Sequence, residues 1–337
     1  MIRLGVVGCG QWGMNHLRVF SSLPGVTLAV GCDHDPERLK RVQRLYPHVA
    51  VTTNLTELWK DASLQAVVVA TPSATHYAIA KSALESGKDV LCEKPLTTSL
   101  AHAEELVRLA QRHQRILMVG HVFVFNPAVQ KLYEYVKQGT LGTLYYLSAR
   151  RTNLGPIRSD VDVIWDLASH DLSMFDYLLD GTAPRSLSAS GGAFLASARA
   201  DVAFISLEYP NHVVANVQVS WLDPQKRREL TVVGSEKMAI FNDVSLDAPL
   251  WVYDKGASLV QDYETYEQFR IQSWDRDATV PHFSRVEPLL NEAMHFVECV
   301  EHRQTPRTDG QNGLRIVRIL EAIARSMGQG GAPVPLT

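Results

Sequence analysis

Along the first 120 residues, short unbroken apolar runs alternate with amphipathic stretches. The runs are IRLGVV, TLAVGC, AVVVAT, DVLCE and ILMVGH. Between them lie GMNHLRVFSSL, PERLKRVQRLY, THYAIAKSALESG and SLAHAEELVRLAQRH, which read as helices. Continuous apolar strands separated by amphipathic helices predict βαβ units around a parallel sheet buried on both faces. The punctuation agrees. Pro36 opens one helix with Asp35 placed to cap it, and Gly87 closes another.

Near residue 121 the pattern changes. PAVQKLYEYVKQG predicts a helix opened by Pro127 and closed by Gly139. After it come longer β-rich runs joined by turn residues: LYYLSARRTN, VAFISLEYP, HVVANVQVSWL, RELTVVGS and KMAIFND. These predict a large, mostly antiparallel open sheet. VIWDLASHDLSMFDYLLDG is a helix inserted among them, and the tail, PLLNEAMHFVECVEHRQ to GLRIVRILEAIARSMG, is helical. The expected class is α/β: a doubly wound parallel sheet over 1–120, then an α+β domain over 121–337. A length of 337 residues suits two cores.

Composition narrows the function. An apolar content of 46% with 20% charged residues describes a globular protein, and a net charge of −3 argues against nucleic-acid binding. Cys9, Cys32, Cys92 and Cys299 are scattered without a C-x-x-C pair, so neither a disulfide framework nor a metal site is expected. A reducing cytoplasm fits that usage. No apolar run approaches the roughly 18 residues of a membrane span, and the glycine-broken start is too short for a signal peptide.

The chemistry starts at VVGCGQWG, where Gly8, Gly10 and Gly13 keep G-x-G-x-x-G spacing between a strand and a helix. Gly8 permits the tight turn, Gly10 lets backbone approach a pyrophosphate, and Gly13 lets helix and strand pack closely. Gln11 and Trp12 complete this cofactor loop, whose helix N-terminus offers N–H groups to an anion. Asp33 follows Gly13 by 20 residues, at the end of the second strand. Its carboxylate suits the ribose hydroxyls of NAD and repels the 2′-phosphate of NADP. NAD is the expected cofactor.

WDLASHD places Asp166 and His170 four apart on the inserted helix. A carboxylate on the same helical face fixes an imidazole tautomer and supports a general base. An ordinary structural Asp–His pair has the same spacing. Asp171 points elsewhere and reads as structural. His76 and Lys94 each follow a strand at the sheet edge where ligands bind. His16, His48, His102, His113, His295 and His302 have no nameable partner.

The glycine loop, the EKP of Glu93–Pro95 and the D-x-x-x-H helix together resemble the glucose–fructose oxidoreductase, inositol dehydrogenase and MocA family. The resemblance covers nearly the whole chain and includes ATPSATHYAIAKSALESGKDVLCEKPL and TDGQNGLRIVRILEAIARS. It implies a Rossmann domain, an open sheet used for homodimer or homotetramer packing, and NAD(P)-linked chemistry on sugars and polyols. By position it implies Glu93 and Lys94 as an active-site pair that also meets the cofactor, Glu93 holding Lys94 or the nicotinamide ribose, and Asp166 and His170 as the proton-transfer dyad. Thr71, Pro72 and His76 then line the nicotinamide side. Many members read G-H-x-x-R-F-N-P, whereas Val124 stands here in place of the arginine. RRTNLGPIRSDVDVIWDLASHDLS resembles the branch of UDP-N-acetylglucosaminuronate 3-dehydrogenases, although Ser169 replaces a common proline. That branch implies a nucleotide-sugar substrate oxidised at C3. Arg150, Arg151 and Arg158 are then candidates to meet a diphosphate or sugar carboxylate, with Arg150 and Arg151 on opposite faces of a strand. Lys94, Asp166 and His170 would also touch substrate. Two other readings stay open: a free inositol or hexose dehydrogenase or ketosugar reductase, and a catalytically silent NAD(P) sensor. The sensor would not need the dyad.

Overall fold

The computed structural model describes residues 1–155, 157–158, 160–195, 199–261 and 269–336. The chain forms two compact units, each discontinuous. The first combines Met1–Phe125 with Val286–Glu321, and the second combines Asn126–Arg285 with Ala322–Thr337.

In the first unit six strands are all parallel: β1 (Ile2–Val7), β2 (Val26–Cys32), β3 (Ala50–Thr52), β4 (Ala66–Val69), β5 (Asp89–Glu93) and β6 (Leu117–Gly120). Their order is β3-β2-β1-β4-β5-β6. Helices α1 (Gln11–Ser22), α2 (Pro36–Leu45), α3 (Leu55–Lys60), α4 (His76–Glu85) and α5 (Leu100–Arg112) connect them. This order reverses between β1 and β4, which is the switch point of a doubly wound sheet. Strand centres such as Val6, Val67, Val68, Val90, Leu91 and Val119 are fully buried, as a sheet covered on both faces demands. Asp35 caps α2 by accepting from Glu37 N at 2.9 Å.

The second unit contains α6 (Pro127–Lys137) and α7 (Ser169–Leu178). Its sheet contains β7 (Leu144–Leu154), β8 (Ser186–Gly192), β9 (Val202–Glu208), β10 (Val214–Ser220), β11 (Leu222–Gly234), β12 (Met238–Asn242), β13 (Leu250–Gln261), β14 (Phe269–Thr279) and β15 (Val334–Pro335). The order is β14-β13-β12-β11-β7-β10-β9-β8-β15, antiparallel except where β10 joins β7. Alternation explains it: Ala203, Ile205 and Leu207 are buried, while Phe204, Ser206 and Glu208 face outward. Strands β8, β13, β14 and β15 are additions to the sequence reading, as is β3 in the first unit.

Two further differences matter for the site. The helical tail does not stay wholly with the second unit. Helix α8 (Pro288–His302) and much of α9 (Gly310–Gly328) return to the first. Phe296 of α8 meets Phe20 of α1 edge-on at 6.5 Å, and Arg303 holds Asp89 at 2.7 Å. The inserted helix is also not one α-helix. Ile164–Ala168 is a π-turn that gives way to α7. Among the described residues, no helix is long and apolar enough to cross a membrane.

Candidate active site

The glycine loop is built as its spacing demands. Gly8 has φ +90°, and a Cβ there would fall 2.5 Å from Ala70 O. A Cβ on Gly13 would fall 1.7 Å from Gly8 O, so only glycine lets α1 pack against the loop. At Gly10 an added Cβ would find only Arg38 Nη1, at 3.7 Å, so that side is open. Gly10 caps α1 without a side-chain hydrogen bond, and the first turn carries no acidic residue. Those N–H groups are available to a pyrophosphate, and exposed Gln11 and Trp12 flank them.

Asp33 closes the loop from β2. It accepts from Cys9 N at 2.7 Å and Asp35 N at 2.9 Å, and Arg38 Nη1 lies 3.4 Å away. Burial opposes its ionisation, but the two backbone N–H bonds and Arg38 outweigh burial and hold Asp33 below the usual carboxylate range. An ionised carboxylate retains acceptor capacity for ribose hydroxyls. The residues of this unit therefore fit a dinucleotide.

After β4, Thr75 Oγ1 donates to Thr71 Oγ1 at 2.8 Å and helps shape the Thr71–Pro72 turn. His76 is buried, with Nδ1 2.8 Å from Pro95 O and Nε2 2.9 Å from Thr71 O. Only the imidazolium can donate to both carbonyls. Its ring clamps two strand-end loops together and presents no open nitrogen to a ligand.

The end of β5 is the most polar part of this core. Glu93 and Lys94 are buried, and Lys94 N donates to Glu93 Oε2 at 3.2 Å. Contrary to the sequence reading, His16 has a partner: its Nε2 lies 2.8 Å from Glu93 Oε1. Burial opposes ionisation of Glu93, but the His16 bond, with His16, Lys94 and His76 charge, holds it below the usual range. A Cβ on Gly120 would lie 3.3 Å from Glu93 Oε2, so a side chain there would press on this carboxylate. His121 follows, fully buried and pushed down to about 3, first by burial and then by Lys94. Sequence reasoning missed His121 and Glu292. Glu292 was visible as an acid on the apolar face of Leu289, Ala293 and Phe296.

In the second unit, Asp166 lies in the π-turn and accepts from Arg158 Nη1 at 3.2 Å and Trp221 Nε1 at 3.3 Å. His170 stands in the first turn of α7, and its carbonyl accepts from Ser173 Oγ at 2.7 Å. Arg151 is almost wholly buried and bound through Nε and Nη2 to Asp171, with the closest contact 2.9 Å. Its Nε and Nη2 are committed to that carboxylate, so this buried ion pair, rather than a substrate contact, is the interaction the structure gives Arg151 and Asp171. Arg150, on the other strand face, lies 3.5 Å from Asp223.

A doubly wound sheet with this glycine loop and an ionised acid after β2 defines a dinucleotide-dependent oxidoreductase. Residues 2–121 match the description "Oxidoreductase family, NAD-binding Rossmann fold", and residues 129–240 match "GFO/IDH/MocA C-terminal domain". The chain belongs to the Gfo/Idh/MocA oxidoreductase family, and its first unit is an NAD-binding Rossmann domain. It is 30% identical over 324 residues to a UDP-N-acetylglucosamine 3-dehydrogenase of Acidithiobacillus ferrooxidans, covering 94% of each chain. The solved structure of that organism's enzyme GnnA superposes with a TM-score of 0.80 at 26% identity, covering 97% of this chain and 98% of that one. An inositol 2-dehydrogenase of Acidothermus cellulolyticus is 30% identical over 226 residues, 65% of this chain and 66% of its own.

Proposed function

We propose that the protein is an NAD-dependent dehydrogenase of a nucleotide-linked sugar, acting on the C3 hydroxyl of a UDP-amino sugar or its uronate. The observation that carries this reading is near full-length similarity to a relative named for that chemistry, joined to Lys94 at the end of a rigid buried strand. Gly8, Gly10, Gly13 and the first turn of α1 would hold the pyrophosphate, and Asp33 the adenosine ribose. Thr71 and Pro72 would bound the nicotinamide side, with His76 bracing their loop. Bound NAD supplies the hydride acceptor.

The chain's own residues handle the proton and the charge. The Lys94 ammonium donates to the reacting hydroxyl and stabilises negative charge on that oxygen. His170 accepts the proton, with Asp166 orienting the imidazole or steadying it when charged. Glu93 sets the charge beside Lys94 and accepts its backbone N–H.

A second reading, a free inositol dehydrogenase, is supported by 30% identity to such an enzyme over 65% of the chain. A screen of the purified protein with NAD, following absorbance of the reduced cofactor, separates the two. Turnover of UDP-N-acetylglucosamine or its uronate, with little on myo-inositol or free hexoses, is expected. Turnover of inositol alone overturns the nucleotide-sugar reading.

A further inference from the structure

Asp166 stands where the π-turn meets the sheet of the second unit. The π-turn packs against β10, which ends at Ser220, and Trp221 is the corner residue before β11 opens at Leu222. Trp221 is 1% exposed and is among the largest wholly buried side chains. An indole carries one donor, and a buried indole has to place it. Trp221 Nε1 places it on Asp166 Oδ2 at 3.3 Å. An indole that served only the core could donate equally well to a backbone carbonyl.

The main chain fixes both ends of this bond. Val163, just before the π-turn, donates its N–H to Ala200 O at 3.1 Å, and Trp221 donates its backbone N–H to Asp201 O at 2.9 Å. Consecutive carbonyls at the entry to β9 therefore hold the two segments side by side. Asp162 caps the π-turn by accepting from Ile164 N and Trp165 N, each at 3.0 Å. Asp166 N donates to Asp162 O at 3.1 Å. The backbone beneath the carboxylate is thus set independently of its side chain. Irregular turns of this kind recur where a side chain has to be aimed.

The two donors on the Asp166 carboxylate differ. Arg158 reaches Oδ1 at 3.2 Å, but its side chain is 33% exposed, it is charged, and its Nε and Nη2 lie on Asp160. Trp221 is buried, rigid and neutral. A neutral donor steadies a carboxylate without cancelling its charge. With one bond on each oxygen the plane of the carboxylate is fixed, and lone pairs remain for a further donor. His170, four residues on, is the group that the proposed dyad sets there.

We propose that Trp221 is a positioning residue of the dyad. Its indole N–H fixes the orientation in which the Asp166 carboxylate serves His170, and it leaves the negative charge intact for the imidazolium formed when His170 takes the proton. No proton passes through the indole. The effect on turnover rests on the dehydrogenase reading above, whereas the bond that places Asp166 does not.

Proton–nitrogen NMR of the indole groups reads the bond without substrate or cofactor. The Trp221 Nε1–H resonance, assigned in the wild type, should move upfield in Asp166→Ala, and a resonance that does not move overturns the inference. Turnover reads the function through a double-mutant cycle. Trp221→Phe keeps an aromatic ring in the corner and removes the donor. It should lower kcat about tenfold or more, the scale of a lost hydrogen bond to a charged group, with KM for NAD within about twofold of wild type. In an Asp166→Ala background the same substitution should cost less than about twofold, because no carboxylate is left for the indole to hold. A tryptophan with only a structural role would lower kcat by the same factor in both backgrounds, and that result overturns the inference. If Trp221→Phe does not fold, the resonance in wild type and Asp166→Ala still decides. If the resonance moves as expected but no sugar is turned over, the dehydrogenase reading fails and the placement of Asp166 by Trp221 stands.

Discussion

Arg158 donates through Nη1 to Asp166 Oδ1 at 3.2 Å, while its Nε and Nη2 hold Asp160 at 2.9 and 2.6 Å. A cation expected to meet a diphosphate thus spends its donors on two carboxylates, one of them in the proposed dyad. Replacing it should act on the dyad before it acts on substrate affinity. Arg158→Ala should lower kcat for a UDP-sugar by roughly tenfold, the worth of one charged hydrogen bond, with a smaller change in KM. A rise in KM for nucleotide sugars alone, at constant kcat, would restore Arg158 to the diphosphate.

The glycine loop was legible because its causes are local. Positive φ at Gly8 and the close approach at Gly13 follow from spacing between one strand and one helix. The ends of β5 and β6 were not legible in the same way. His16 meets Glu93 across 77 residues, and nothing near either residue announces the other. Arg151 looked available because its neighbours are polar, yet its partner Asp171 comes from a helix 20 residues on. Strands β8, β13 and β14 carry Ser, Gly and charged residues where an apolar alternation would have marked them. Such composition suits strands near a sheet margin, where charge discourages pairing with other chains. The π-turn at Ile164–Ala168 has no sequence signature, because i,i+4 spacing reads equally well as an unbroken α-helix.

The Arg151–Asp171 pair should be a stability determinant rather than a catalytic one. Both side chains are almost wholly buried, at 3% and 1% exposure, so removing one leaves an uncompensated charge. Arg151→Met should cost about 3–5 kcal/mol in urea unfolding of the second unit. Arg151→Met combined with Asp171→Leu should cost less than either single change. A single variant as stable as wild type would show that the pair is not what holds β7 to α7.

Asp33 should set the preference for NAD. Asp33→Ser removes the charge that repels a 2′-phosphate and releases Arg38, which stands 3.4 Å from the carboxylate. NAD affinity should fall and NADP affinity rise, each by roughly tenfold, or about 1.4 kcal/mol. Fluorescence titration of both cofactors measures it. Wild-type protein that binds NADP more tightly than NAD would remove Asp33 from this role.

The outer face of the large sheet should associate with a second copy. Tyr146 pairs with Val214, and Ile240 with Trp251, so these residues line one face with Phe204. Their chain neighbours Leu147, Ala215, Val252 and Ala203 are buried on the opposite face. Apolar and aromatic groups at 51% exposure for Phe204 and 49% for Val214 exceed what an unpartnered sheet face normally carries. Phe204→Asp with Trp251→Asp should convert an oligomer to a monomer in sedimentation. A wild type that sediments only as a monomer at micromolar concentration would leave the face without that role.

Lys94 and His170 should each be needed for turnover. Lys94 is placed by a buried strand, and its N–H is fixed on Glu93 Oε2 at 3.2 Å. A group on such an element keeps its geometry when its own side chain is shortened or neutralised. Lys94→Met should therefore keep NAD affinity within about twofold while lowering kcat by roughly 10²–10⁴, the range of lost acid–base assistance. His170→Ala should lose a similar amount without touching the Rossmann unit. If the two groups serve the same oxygen, the double variant should cost much less than the product of the single losses, because groups that act as a unit are not additive. Losses that multiply would mean that the two residues assist separate steps. A Lys94→Met enzyme with wild-type turnover would reduce the Glu93–Pro95 segment to the end of a strand.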